Sequence, residues 1–320
     1  MFYSIRHVTR FRYSAPVRES VMELRMQPRS EGPQTLRSFQ IVTQPRAQLY
    51  AYTDHAGNAV YHFNVLREHE ELRIEAQAVV EVARPPALPQ AADGLEWERY
   101  NAYNLTAQHY DLLGPSKFAR PSPALAAFAR ARGLEQPDGD PLGALKRLMN
   151  AIRDSFEYEL GITQVHSPIE HALEHGRGVC QDFAHIMIAV ARGWGIPTRY
   201  VSGYLHHGRQ DRSEDSATHA WVESYLPSLG WIGFDPTNGM LANERHIRAA
   251  VGRDYADVPP TRGTFKGVAE SELAIAVSVS PTQAPVHHED FLRVARPMSA
   301  PKPADRAADH AYHQQQQQQQ

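Results

Sequence analysis

"HGRGVCQDFAHIMIAVARGWG", residues 175–195, holds the only cysteine of a 320-residue chain. Gly176 and Gly178 precede Cys180, and after it Phe183, Ala184, Ile186, Met187, Ile188, Ala189 and Val190 spread around a helical wheel. The spacing predicts a helix from near Cys180 to about Trp194, buried on most sides. A thiol at a helix N-terminus meets unpaired N–H groups and the positive end of the dipole, and both favour the thiolate. The glycines permit a tight turn that aims the Cys180 N–H at a developing oxyanion. Asp182 in the first turn is a favourable charge at that end. A lone cysteine is otherwise a common buried core residue, so a catalytic reading needs a base and an orienting acid as well.

Seventeen histidines compete for the role of base. His185 shares the helix but lies about 140° round from Cys180, at about 100° per residue, and points elsewhere. His219 opens "HAWVESYL", a strand pattern followed by a short turn and a second strand ending in Asp235. If Leu226 to Gly230 form a five-residue hairpin loop, Tyr225 faces Trp231 and Trp221 faces Asp235. His219 and Asp235 then share a face as diagonal neighbours within imidazole reach. A four-residue loop would put them on opposite faces. Each also has a plain reading, His219 as a hydrogen-bonded core or edge histidine and Asp235 as a turn residue before Pro236.

The rest of the chain supplies the frame. Tyr3, Ile5, Phe11 and Tyr13 share one parity, and Leu72, Ile74, Ala76, Ala78, Val80 and Val82 alternate with mostly polar neighbours. Between them "TDHAGNA" is a hairpin turn signal. "ARPPALPQAADG", from Ala83 to Gly94, breaks the β pattern and reads as a domain boundary. Ser122-Pro123 and Asp140-Pro141 each pair an N-cap with proline at the first helical position. Leu145, Leu148, Met149, Ile152 and Phe156 form one apolar stripe. After Pro197 the chain turns to strands, with "ELAIAVSV" the last. Helices followed by antiparallel strands make an α+β fold. The division expected is a small β-rich domain at 1–83, an α+β domain at 84–280, and a Pro-, His- and Gln-rich disordered tail at 281–320.

Composition narrows the function. A formal net charge of −3 carries no basic footprint for nucleic acid. No run of about 18 apolar residues predicts a membrane span, and the first residues lack a signal-peptide core. A single cysteine excludes an intrachain disulfide and suits a cytoplasmic, reducing compartment.

"GRGVCQDFAHIMIAVARGWGIPTRYVSGYL", "THAWVESYLPSLGWIGFDPTNG" and the β-rich first segment together resemble the bacterial transglutaminase-like proteins. The resemblance covers residues 1 to about 280 and implies a papain-like core behind an N-terminal β domain. It implies Cys180 as nucleophile, His219 as base and Asp235 as orienting acid, acting on a peptide or glutamine carboxamide with no cofactor. Animal transglutaminases have tryptophan where this chain has Gln181, and calcium dependence is not implied. Tyr158, Gln181 and Trp221 are candidates for the oxyanion and substrate contacts, Tyr158 through its phenol.

Two rivals stand beside this reading. His171-Ala-Leu-Glu174-His175 fits the H-x-x-E-H zinc pattern of a metallopeptidase, with no third ligand marked. A non-catalytic binding module on the same fold is the other. His206-His207 and His287-His288 read as exposed loop residues.

Overall fold

The structure, a computed structural model, describes residues 1–92, 96–100, 107–137, 139–213 and 217–282. Of the segment expected as a disordered tail, 281–320, Pro281 and Thr282 end a strand, and the rest, including His287-His288, lies outside the described residues.

Alternating apolar residues build the first unit. Strand β1 (Phe2–Val17) buries Tyr3, Ile5 and Tyr13 and exposes Ser4, Arg6 and Arg12. The other strands are β2 (Glu19–Leu24), β3 (Gln34–Gln44), β4 (Tyr50–Thr53), β5 (Ala59–Val65) and β6 (His69–Val82). Leu72, Ile74, Ala76, Ala78, Val80 and Val82 of β6 all face inward. Two antiparallel four-stranded sheets result, completed by β14 (Thr261–Lys266) and β15 (Ser271–Thr282), in the orders β15-β1-β6-β3 and β14-β2-β5-β4. Leu24, Met26, Phe63, Leu72 and Ile74 fill the core of this unit.

The strand pairing departs from the expected division at its far end. β15 pairs with β1 from Phe2↔Thr282 to Tyr13↔Ser271, and β14 pairs with β2. Residues 261–282 thus belong by pairing with the first β unit, because β1 leaves an edge that a returning strand satisfies.

The second unit packs helices on a sheet. Helix α1 (Glu96–Tyr100) is followed by α2 (Pro123–Ala131), capped by the Ser122 hydroxyl accepting from the Leu125 N–H. α3 (Pro141–Ser155) is capped by Asp140 accepting from the Gly143 N–H. Two-residue strands β7 (Glu157–Tyr158) and β8 (Arg177–Gly178) bracket α4 (Ile169–His175), and α5 (Cys180–Gly193) follows. Leu145, Leu148, Met149 and Ile152 of α3 meet Phe183, Ile186 and Met187 of α5 over Tyr200, Val222 and Phe234 of the sheet. That sheet is five-stranded, β12-β11-β10-β9-β13, from β9 (Thr198–Leu205), β10 (His219–Leu226), β11 (Gly230–Asp235), β12 (Met240–Leu241) and β13 (His246–Gly252), with every pair antiparallel.

β13 is an edge strand, and the first unit covers it. Gln34 accepts from the Arg248 N–H at 2.9 Å and donates to the Arg248 carbonyl at 2.8 Å. Asn58 does the same for Val251, both bonds being 2.8 Å. Two side-chain amides thereby replace the ladder that a neighbouring strand would supply.

Candidate active site

Cys180 is the first residue of α5 and is half-buried. Gly176 adopts φ +67° as the left-handed cap that ends α4 and turns the chain towards it. At Gly178 a Cβ would stand 2.9 Å from Asp182 Oδ2, so only glycine passes there without displacing that carboxylate. Asp182 accepts from the Val179 N–H at 2.9 Å and from the Thr163 hydroxyl at 2.7 Å. It therefore caps the helix that carries the thiol and ties the preceding loop to it. Burial raises its pKa, against those hydrogen bonds.

β10 and β11 form the hairpin that brings the other two residues together. Tyr225 pairs with Trp231 and Leu226 with Gly230, which tightens the turn to Pro227–Leu229 and keeps the parity of a five-residue loop. His219 and Asp235 consequently meet, with Nε2 2.8 Å from Oδ2 and both side chains at most 1% exposed. With Nε2 committed, Nδ1 is the ring nitrogen left for Cys180, which interacts with the ring. Nδ1 is buried and makes no hydrogen bond among the described residues. Burial lowers the His219 pKa, but the Asp235 charge and hydrogen bond, with Cys180 contributing, overcome it and push it up to about 10. Burial likewise raises the Asp235 pKa, and the His219 charge leads the opposing effects that hold it well below the usual carboxylate range.

Asp235 is held at both oxygens. Oδ1 accepts the N–H groups of Thr237 at 3.0 Å and Asn238 at 3.1 Å, the Asx-turn geometry that "DPTN" favours. Oδ2 accepts from His219, from the Asn238 amide at 2.8 Å and from His246 Nε2 at 3.2 Å. The sequence reading missed His246. It arrives on β13, which joins the sheet beyond β9, and no local spacing links it to Asp235.

The remaining candidates fall in different places. Tyr158 is half-buried and pairs in parallel with Gly178, two residues before the thiol. Gln181 is buried and donates to the Val165 carbonyl at 3.0 Å, so it anchors the loop before α4. Trp221 is fully buried, stacks on His219 at 5.9 Å and meets His246 edge-on at 5.3 Å. It backs the imidazoles and contributes, with Trp231 and His246, to the wall of a cavity of about 740 Å³. That cavity lies between residues 84–89 and the sheet, and neither Cys180 nor His219 lines it.

His171 and His175 stack on each other at 4.3 Å, and His175 Nδ1 donates to the His171 carbonyl at 2.8 Å. Among the described residues the H-x-x-E-H stretch brings no three donor atoms together; the group that does is His219, Asp235 and His246, within 4.8 Å. There the donors are already engaged, since both Nε2 atoms lie within hydrogen-bond distance of Oδ2.

A thiol on a helix N-terminus, an imidazole from the facing sheet and a buried carboxylate behind it define a papain-like α+β protein. Its chain matches the transglutaminase-like superfamily core over residues 129–236 and the bacterial transglutaminase-like N-terminal region over residues 3–81. An uncharacterized Mycobacterium leprae protein is 32% identical over 277 residues, covering 86% of this chain and 96% of the relative. The protein therefore belongs to the transglutaminase-like superfamily, with the bacterial N-terminal region. A protein-glutamine gamma-glutamyltransferase of Pseudomonas aeruginosa is 32% identical over 155 residues, 44% of this chain and 23% of that protein. In fold, the chain is similar to a Cytophaga hutchinsonii protein named as a candidate cysteine protease, with TM-score 0.68, 18% identity, and coverage of 89% of this chain and 92% of that one.

Proposed function

We propose that the protein is a cysteine-dependent acyl-transfer enzyme acting on peptide or glutamine carboxamide groups, with Cys180, His219 and Asp235 as its catalytic triad. The observation that carries this reading is a half-buried cysteine at a helix start that interacts with an imidazole bound at 2.8 Å to a fully buried carboxylate. Cys180 gives its proton to His219 Nδ1, and the sulfur attacks the carbonyl carbon. The tetrahedral oxyanion is met by the Cys180 N–H, one of the unpaired donors of a helix's first turn, with the Tyr158 phenol as a second candidate. Collapse breaks the C–N bond, His219 protonates the departing nitrogen, and a thioester remains. An amine then yields a new amide and water an acid, each regenerating the thiol. A peptide or protein partner and a cytoplasmic, reducing location belong to the same proposal, because the thiol chemistry needs a free Cys180.

The test is incubation with glutamine-containing peptides, with and without a labelled primary amine, followed by intact mass and peptide mass spectrometry. Acyl-Cys180, then amine incorporation or ammonia or peptide release, all absent in Cys180→Ala, is the expected result. Turnover retained by Cys180→Ala and removed by a zinc chelator would replace it with metallopeptidase chemistry. Reversible peptide binding without any turnover would replace it with a binding module.

A further inference from the structure

Two histidines reach the same oxygen of Asp235, and their surroundings give them different tasks. His246 Nδ1 accepts the Asn243 backbone N–H at 3.2 Å, so that nitrogen carries no proton. The proton of the neutral ring is therefore on Nε2, from which it is donated to Asp235 Oδ2 at 3.2 Å. The Asn243 side-chain oxygen, 3.4 Å from Nδ1, would become a partner only by breaking the backbone bond. His219 has no such bond at Nδ1, which is buried and unpartnered among the described residues. Protonating His219 there sacrifices no hydrogen bond, whereas protonating His246 sacrifices one.

We propose that His246 is a positioning residue: a neutral imidazole of fixed tautomer that steadies Asp235, leaving His219 alone to exchange a proton with Cys180. This role rests on the acyl-transfer reading above. Burial lowers the His246 pKa, Asp235 opposes that, and the positive groups His219 and Arg245 reinforce it. The ring cannot turn away easily, because Trp221 packs edge-on against it at 5.3 Å while stacking on His219. Its strand is braced in turn by Gln34 and Asn58, which gives the first β unit a task in holding the site. With His246 removed, Oδ2 loses one of its three donors and the carboxylate is freer to swing out of line with His219.

The experiment compares His246→Leu, which removes the donor at similar volume, with His246→Gln, which keeps an N–H near Nε2. Alkylation of native Cys180 by iodoacetamide at pH 6.5 is followed by intact mass, with circular dichroism reporting the fold. The Leu variant is expected to label about tenfold or more slowly than wild type and the Gln variant within about threefold, the scale on which such supporting partners act. Leu labelling as fast as wild type overturns the positioning role and leaves the Cys180–His219 pair standing. A wild type no faster than His219→Ala overturns the acyl-transfer reading, and this role with it. If the Leu variant does not fold, ring-nitrogen NMR of the wild type decides. A neutral His246 protonated at Nε2 at pH 7 supports the role, and a proton on Nδ1 or a charged ring overturns it.

Discussion

His185 and His219 are almost equally enclosed, and their surroundings drive them in opposite directions. His185 lies on α5 five residues beyond Cys180, between Phe118 at 5.3 Å and Tyr200 at 5.1 Å. Burial takes its pKa down to about 3, although the charge of Asp254 opposes the fall. The Asp254 carboxylate is occupied by the N–H groups of Phe118 and Ala256, both at 2.8 Å, and His185 Nε2 itself accepts the Tyr255 N–H at 3.2 Å. His219 suffers the same desolvation, but its carboxylate is in direct contact. Burial thus sets the cost of a charge, and a hydrogen-bonded counter-charge decides whether it is borne. His246 marks the middle case, since it shares the carboxylate and still has one nitrogen used as an acceptor.

The comparison breaks most sharply at Asp235. Asp235→Asn should send His219 towards the neutral state of His185 and reduce turnover by roughly 10⁴-fold, the scale of an equivalent change in serine proteases. Steady-state kinetics would record this in kcat, with far-UV circular dichroism unchanged.

Stability should separate the two histidines by pH. A buried base with a lowered pKa, such as His185 at about 3 or His7 at about 4, binds its proton more readily in the unfolded chain. Its stabilisation is present above about pH 6.5 and is lost as pH falls towards those values, with a slope of up to about 1.4 kcal/mol per pH unit per histidine. His219, raised to about 10, has the opposite window: its contribution is full below about pH 6.5 and is lost as pH rises towards 10. Urea unfolding from pH 4 to 10 should show the acid slope reduced in His185→Phe and the alkaline slope reduced in His219→Ala.

At one pH, His185→Leu should cost about 1–3 kcal/mol, because the Tyr255 N–H is left without its acceptor. Alkylation of Cys180 should stay within about twofold of wild type, since His185 does not face the thiol, and a larger loss would blur the distinction. The smallest effect expected is in Gln181→Ala, about 0.5–1.5 kcal/mol from the lost bond to Val165. Limited proteolysis within residues 159–168 should report it as faster cleavage.

What was legible in the sequence was local. The glycine turn, the helix start and the two N-caps followed by proline act within a few residues, and the structure has each of them. The approach of His219 to Asp235 followed from strand alternation and one turn length. What was not legible depends on distant pairing. His246 joins the site because β13 adds to β9, with an irregularity between Arg248 and Ala250 that no periodicity marks. β15 returns to β1 across most of the chain, so its own alternation could not say which edge it would complete. The H-x-x-E-H stretch is equally local, a pattern on a seven-residue helix whose two histidines meet each other.

The most direct measurement is the rate of Cys180 alkylation by iodoacetamide between pH 5 and 9, followed by intact mass on wild type, His219→Ala and unfolded protein. The predicted result is rapid labelling of the native wild type and much slower labelling of His219→Ala. Equal labelling rates in both, or labelling that requires unfolding, would contradict the thiol–imidazole pair on which the function rests.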